Sequence, residues 1–252
     1  MMNDILQLGA LAFLGSVAGL AGGVILLFKK DWAKSLSVYA TPLAAGVLLA
    51  IALLDLLPEA VEAIDTKAFS TVLVVFVCLF LVERFLFYLH HHGDPANHEY
   101  YHHGTSVPLV IFGDTIHNFL DGVAIAVAFL TSPSLGLIVA FSAFLHETPH
   151  EIADFGILIS KGRGRLAAFN INFLSALATF PGAYLTYFYA QGLESTKGIL
   201  LAVAAGFFLY VALTDFLPEV QHSSRSSTFR QALFLLAGIL GIVVMRTLFP
   251  EI

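Results

Sequence analysis

The chain is 252 residues long, 58% hydrophobic and 12% charged, with a formal net charge of −6 and a mean hydropathy of +0.85. Soluble domains carry about 25% charged residues, so a disordered chain and an ordinary soluble enzyme are excluded, and the acidic balance offers no basic footprint for nucleic acid. A lone cysteine, Cys78, excludes a disulfide framework and any cysteine-based zinc finger.

The remaining class is an all-α polytopic membrane protein. Crossing a bilayer takes about 20 mostly apolar residues. Breaking the chain at charged or turn-rich points predicts eight spans within a single transmembrane domain, 1–252: roughly 4–28, 35–61, 68–90, 106–130, 134–160, 166–190, 196–220 and 229–248. The first is charge-free from Ile5 to Phe28. It lacks a basic n-region and is too long for a cleavable signal peptide. Its glycines, Gly9, Gly15, Gly19, Gly22 and Gly23, predict close helix packing, including within a homodimer. The second span is charge-free from Ser35 to Leu54 and then meets Asp55 and Pro58. A proline frees the carbonyl four residues back, which suits a kinked helix lining a wet path. In the third span, Cys78 reads as a buried small hydrophobe and Glu83 as the partner of Arg84.

A loop at 91–105 follows, and the stretch HHHGDPANHEYYHHG (90–104) holds six of the ten histidines: His90, His91, His92, His98, His102 and His103. Neutral imidazoles bind zinc and its neighbours, so this reads as a cytoplasmic segment that captures or senses metal.

Spans four and five carry the strongest chemistry. The fourth contains Asp114, His117, Asn118 and Asp121, and the fifth His146, Glu147, His150, Glu151 and Asp154. These groups begin near mid-depth, where ionisable side chains cannot face lipid. His117 and Asp121 are four residues apart, hence on one helix face, and His146 and His150 repeat that spacing on the adjacent antiparallel helix. Together the four could hold one metal ion; three imidazoles and a carboxylate suit tetrahedral Zn²⁺, though nitrogen and oxygen donors also accept other divalent ions. Asn118 and Glu147 lie about 100° further round their helices and could form a second, more oxygen-rich site. Asp114, Glu151 and Asp154 suit direct ligation or support of the ligands equally. Tyr184, Tyr187 and Tyr189 in span six, with Trp32, suit the membrane interfaces.

Span seven repeats span two. Residues 44–62 (AAGVLLAIALLDLLPEAVE) and 204–222 (AAGFFLYVALTDFLPEVQH) agree at ten of nineteen positions, including Asp55, Leu57, Pro58 and Glu59 against Asp215, Leu217, Pro218 and Glu219. Five spans apart, they run in opposite directions, as in inverted-repeat transporters. Placing the N-terminus outside puts nine lysines and arginines inside (Lys29, Lys30, Lys34, Arg84, Lys161, Arg163, Arg165, Arg225 and Arg230) against Lys67, Lys197 and Arg246 outside. Both termini are then outside, Asp55 lies near the outer mouth and Asp215 near the inner one. The short loops point to a cell membrane, most simply a prokaryotic plasma membrane.

At HNFLDG (117–122) and HETPHEIADF (146–155) the sequence resembles the ZIP family of zinc-iron transport proteins, in the form of its HExPHE-type subfamily. The resemblance covers the whole chain. It implies a 3+2+3 inverted-repeat bundle of eight helices that moves zinc, or iron, manganese or cadmium, from outside into the cytoplasm, with the metal as substrate rather than prosthetic group. It implies a main site of His117, Asp121, His146 and His150, a neighbouring one using Asn118 and Glu147, and entrance and exit roles for Asp55 and Asp215. Ala153 and Ala126 depart from glycines of the pattern. Some members carry a sixth-helix glutamate that completes a second metal site, and LSALATFPGA (174–183) places Thr179 there.

The rival is an enzyme. His146-Glu147-Thr148-Pro149-His150 fits H-E-x-x-H, the motif of zinc metalloproteases, some of them intramembrane. Pro149 inside the motif, the repeated ligand pattern on the neighbouring helix and the paired gate-like carboxylates argue for a non-enzyme. A metal-sensing receptor is a third class, without an obvious signalling domain here.

Overall fold

The computed structural model describes residues 2–28, 30–90, 107–218 and 225–249. Within the predicted metal-capture loop, His90 is the last residue of a helix, and His91, His92, His98, His102 and His103 lie outside the described residues. In chain order the helices are α1 (Met2–Gly15), α2 (Ala21–Phe28), α3 (Lys30–Ile51), α4 (Leu57–Ile64), α5 (Lys67–His90), α6 (Val107–Thr131), α7 (Pro133–Ser160), α8 (Arg165–Ala176), α9 (Thr179–Ala190), α10 (Glu194–Val211) and α11 (Arg225–Leu248). No strand occurs among the described residues.

Among the described residues, six stretches are long and apolar enough to cross a membrane: Val38–Ile64, Lys67–Phe85, Val107–Thr131, Arg165–Ala190, Glu194–Phe216 and Thr228–Leu248. The chain is therefore a multi-pass membrane protein. The other two predicted spans fall short for different reasons. The first is broken between α1 and α2 by a turn at residues 16–20, where Ser16 turns its hydroxyl back onto the Ala12 carbonyl (2.7 Å). α7, with 28 residues, has ample length at 1.5 Å per residue; the carboxylates and imidazoles of its second half lower its apolarity.

Both prolines of the repeated sequence act alike. Leu57 donates its backbone N–H five residues back to the Ala52 carbonyl, closing a π-helical segment over Ala52–Leu56. Leu217 does the same to Ala212, closing a π-helical segment over Ala212–Phe216. A proline in a regular helix lacks the donor for the carbonyl four residues back and clashes with it. The extra residue of a π turn resets the register, so Pro58 falls in the first turn of α4, where no donor is needed. Asp55 and Asp215 occupy the same place in the two π segments.

Contacts along the helices fix their relative directions. α3 and α11 run the same way: Tyr39 meets Arg230 and Phe234, Gly46 lies against Leu235 and Ile239, and Asp55 meets Arg246. α5 and α10 are parallel, with Val72 and Val75 at Gly206 and Phe76 and Glu83 at Tyr210. α6 is parallel to α8 and α9, Asp114 meeting Ser175, Asn118 meeting Thr179 and Gly122 the backbone of Thr179 and Ala183. α1 and α2 follow α7, through Gly15 at Ala143, Gly19 at Glu147 and Gly23 at Phe155. α6 and α7 are antiparallel, with Phe129 at Gly136 and His117 at His150. All five glycines of the first predicted span pack within the chain, Gly9 against Tyr184, so the packing that suggested a homodimer is satisfied intramolecularly.

Three minor expectations change. Cys78 is exposed on α5 rather than buried. Glu83 accepts a hydrogen bond from the Tyr210 hydroxyl instead of pairing with Arg84. Tyr187 is buried against Phe129, its hydroxyl donating to Asp4 (3.2 Å), while Tyr189 is exposed.

Candidate metal centre

The antiparallel crossing of α6 and α7 brings four polar side chains to one point. His117, Asp121, His146 and Glu147 are all buried, and one donor atom of each lies within 4.8 Å of the others. His117 Nε2 is 3.1 Å from His146 Nε2, 3.0 Å from Glu147 Oε1 and 3.6 Å from Asp121 Oδ2. His146 Nε2 is 3.2 Å from Asp121 Oδ2 and 3.6 Å from Glu147 Oε1. A tetrahedral zinc ion with nitrogen and oxygen ligands at 2.0–2.1 Å has ligand–ligand edges of about 3.3 Å. These separations scatter around that value.

The surroundings orient the set. His146 donates through Nδ1 to the Ser142 carbonyl (3.0 Å). A carbonyl can only accept, so the neutral ring presents the Nε2 lone pair to the cluster. Among the described residues, none makes a hydrogen bond to either carboxylate oxygen of Asp121 or Glu147. Two buried carboxylates without hydrogen bonds are costly alone, and a cation held between them would offset that cost. Phe207, Phe208 and Phe216 set their rings against the two imidazoles and keep the site apolar around its ligands.

This grouping differs by one member from the expected set of His117, Asp121, His146 and His150. His150 stands outside it, and Glu147 takes its place. Antiparallel packing pairs His117 with the level of His150 and Asp121 with that of His146, one helical turn of 5.4 Å apart. His117 leans toward His146 and stacks its ring on His150 at 4.7 Å. His150 Nδ1 instead lies 3.9 Å from Asp154 Oδ2, in a second cluster with Asp114. A third grouping joins Asp114, Glu147 and Glu151.

Many of these neighbours are already engaged, two of them by Ser175 and Asn172, which the sequence reading did not single out. Ser175 donates to Asp114 Oδ2, and Asn118 donates to Asp114 Oδ1 (2.9 Å). Thr179 donates to Asn118 Oδ1 (3.2 Å), and Asn172 to Glu151 Oε2 (2.8 Å). Asn172, Ser175 and Thr179 thus form a polar stripe along α8 and the start of α9. Their spacing of three and four in a charge-free run was the available signal.

A cavity of about 520 Å³ reaches this centre from one side. Its wall includes His117, His150, Asp154, Glu83, Tyr210 and Asp215. It lies among the end of α5, the first half of α6, the second half of α7 and the end of α10. On the far side of the centre, residues 123–128 of α6 are buried without a break. Asp215 is exposed beside the cavity, while Asp55 is buried and ion-paired with Arg246 (Nε to Oδ1, 2.7 Å).

Comparison with known proteins agrees with this chemistry. The family described as ZIP zinc transporter matches residues 5–109 and 98–247. Mouse zinc transporter ZIP4 is 39% identical over 146 residues, 57% of this chain and 22% of that protein. The Drosophila melanogaster zinc transporter foi is 36% identical over 143 residues, 56% of this chain and 20% of its own length. Human zinc transporter ZIP4 reaches 43% over 113 residues, 44% of this chain and 17% of that protein. The matched region is thus about a fifth of each relative. With its family pattern spread over nearly the whole sequence, the chain belongs to the ZIP zinc transporter family.

Proposed function

We propose that the protein moves zinc, and other divalent cations of similar size, across a cell membrane into the cytoplasm through the buried centre between α6 and α7. The observation that carries this is the near-tetrahedral set of His117, Asp121, His146 and Glu147, with four carboxylate oxygens that no hydrogen bond satisfies. The metal is cargo: a mid-membrane site reached by a cavity suits binding and release better than permanent retention.

Eight crossings and the 3+2+3 inverted repeat are part of this reading. In a chain that crosses alternately, spans of equal parity run parallel. The observed parallel pairs are the predicted spans two with eight, three with seven, four with six and one with five; the antiparallel pair is four with five. Exchanging one with six, two with seven, three with eight and four with five maps this set of pairs onto itself. The matched π segments at Asp55 and Asp215 support the same symmetry.

Direction follows from charge. The cavity lies toward the helix ends bearing Arg84, Lys161, Arg163 and Arg165, which the positive-inside rule assigns to the cytoplasm. Both termini are then outside, the exposed Asp215 is the exit and the buried Asp55 the closed entrance. The conformation is inward-open, one end of an alternating cycle. The short loops favour a prokaryotic plasma membrane as its setting, although the relatives named above are animal proteins.

The metalloprotease alternative requires His146 and His150 on one ion with Glu147 free to activate water. Here Glu147 joins His146 and His117 instead, and His150 turns to Asp154. The test is zinc entry into liposomes loaded with a zinc-sensitive dye. Wild-type protein is expected to give a zinc-dependent signal that His146→Ala largely abolishes. Absence of entry with folded, reconstituted protein would overturn transport; entry that survives the substitution would overturn the site.

A further inference from the structure

The two repeated aspartates meet opposite electrostatic environments, although their backbones match. At the π segment of span seven, Asp215 is exposed beside the cavity and accepts a hydrogen bond from Thr214 (2.7 Å). Glu83 lines the same cavity, held by Tyr210, and no lysine or arginine is among the described residues lining it. A cation leaving the centre therefore meets two carboxylates. At the π segment of span two, the Asp55 side chain is fully buried and its Oδ1 is held by Arg246, whose side chain remains 39% exposed at the end of α11. Because α3 pairs with α11 as α10 pairs with α5, Arg246 stands on the helix that answers to that of Glu83. One mouth thus has a second anion where the other has a fixed cation.

We propose that Arg246 is a tethered competitor for the incoming cation at Asp55, an ion-pair latch that closes the outer mouth. The idea rests on the transport reading above and on the orientation assigned with it. A guanidinium keeps its charge at any working pH, so it cannot leave Asp55 by losing a proton. It can leave only when another cation takes the carboxylate, because breaking the pair otherwise strands a buried charge. The Oδ1 atom that faces Arg246 Nε at 2.7 Å is not open to a metal ion at the same time. Oδ2 is buried beside it, so a metal ion approaching this carboxylate meets the guanidinium charge, and by linkage metal capture and latch closure oppose each other. The exposed part of Arg246 gives the guanidinium water to swing into when displaced. The latch makes entry depend on an arriving cation, while the doubly acidic inner mouth has no such lock.

The experiment uses the full chain in liposomes with Cys78→Ser as background. Ile242 lies one turn deeper than Arg246 on the same face of α11 and is 1% exposed, so Ile242→Cys places a reporter thiol beneath the latch. A membrane-impermeant thiol reagent is applied from outside without metal. Arg246→Ala is expected to raise the labelling rate at least about fivefold, the lower end of ordinary coupling energies. It is also expected to lower the external zinc concentration for half-maximal uptake. Asp55→Asn should raise labelling as much while weakening uptake, and the double variant should raise it no further, because one pair is broken either way. Arg246→Lys, which keeps the cation, should label slowly, like the parent. Unchanged labelling in Arg246→Ala and Asp55→Asn, or additive increases in the double variant, would overturn the latch and leave a purely structural ion pair. Wild-type protein that folds but takes up no zinc would overturn the transport reading instead, and the labelling result would stand apart from it.

Discussion

The hydrogen-bond accounting at single residues divides the buried carboxylates near the centre into two sets. Asp121 and Glu147 have no hydrogen bond to any carboxylate oxygen, whereas Asp114 has both oxygens engaged and Glu151 one. Alanine at His117, Asp121, His146 or Glu147 should therefore weaken zinc binding by more than the 10–100-fold, in round numbers, that loss of a supporting partner causes. Ser175→Ala and Asn172→Ala should fall at or below about tenfold, since each loosens a neighbouring carboxylate without removing a ligand. His150→Ala discriminates most sharply. If Glu147 is the fourth ligand, it costs no more than a supporting residue; a loss as large as that of His146→Ala would put His150 back in the set. Calorimetric titration of zinc into the purified protein in detergent measures all of these. The residue types, their helix spacing and their depth were legible in the sequence. The grouping of Glu147 rather than His150 with His117, Asp121 and His146 was not, because it depends on the axial stagger of two antiparallel helices. Helix periodicity fixes the face a residue occupies but says nothing of its neighbour's height.

Among the elements, the sequence shows where helices are disturbed and leaves open how. Pro58 and Pro218 read as kinks; the structure resolves the strain as π turns that carry Asp55 and Asp215. The turn at residues 16–20 carries no proline or charge and follows from packing, whereas the step between α8 and α9 falls four residues before Pro181, which has no N–H for the Leu177 carbonyl. Gly19 shows the packing cause most directly, since a β-carbon there would stand 2.7 Å from Cβ of Glu147. The neighbouring atom is the root of the Glu147 side chain on a packed helix, not the end of a flexible chain. Gly19→Val should therefore push Glu147 out of place and cut zinc affinity at least tenfold or so, as misplacing a metal's supporting contacts does. Circular dichroism should show unchanged helix content. Affinity equal to wild type would mean that the first helix can retreat from α7 and that its glycines serve packing alone. Pro218→Ala tests the π turn. With the missing donor restored, Ala212–Phe216 can relax to regular helix, which turns Asp215 relative to the cavity by about 100°, the angle of one residue. Zinc uptake should slow while zinc affinity of the centre stays unchanged.

For the molecule as a whole, the decisive property is which side of the centre is open. The described structure packs small apolar residues around α6 beyond Asp121 and leaves a cavity on the opposite side. Ala153 lines that cavity, one turn beyond Pro149 on α7. With Cys78 replaced by serine, a thiol at Ala153→Cys should react with an impermeant reagent supplied from the side bearing Arg84, Lys161, Arg163 and Arg165. The same reagent on the other side should react far more slowly. Zinc should protect the thiol, because an ion on its way to His117 and His146 crosses the space the reagent must use. Right-side-out and inside-out vesicles from the same cells supply both faces. Faster labelling from the face bearing Lys67 and Lys197 would reverse the assigned orientation and make Asp215 the entrance. Equal rates from both faces would replace a two-state carrier with a continuous path, in which the buried run of α6 opens without the bundle rocking. The parity of helix directions survives either outcome, because it follows from contacts between helices and not from the membrane. The sidedness of the cavity, and with it the direction of transport, is therefore the quantity this labelling decides.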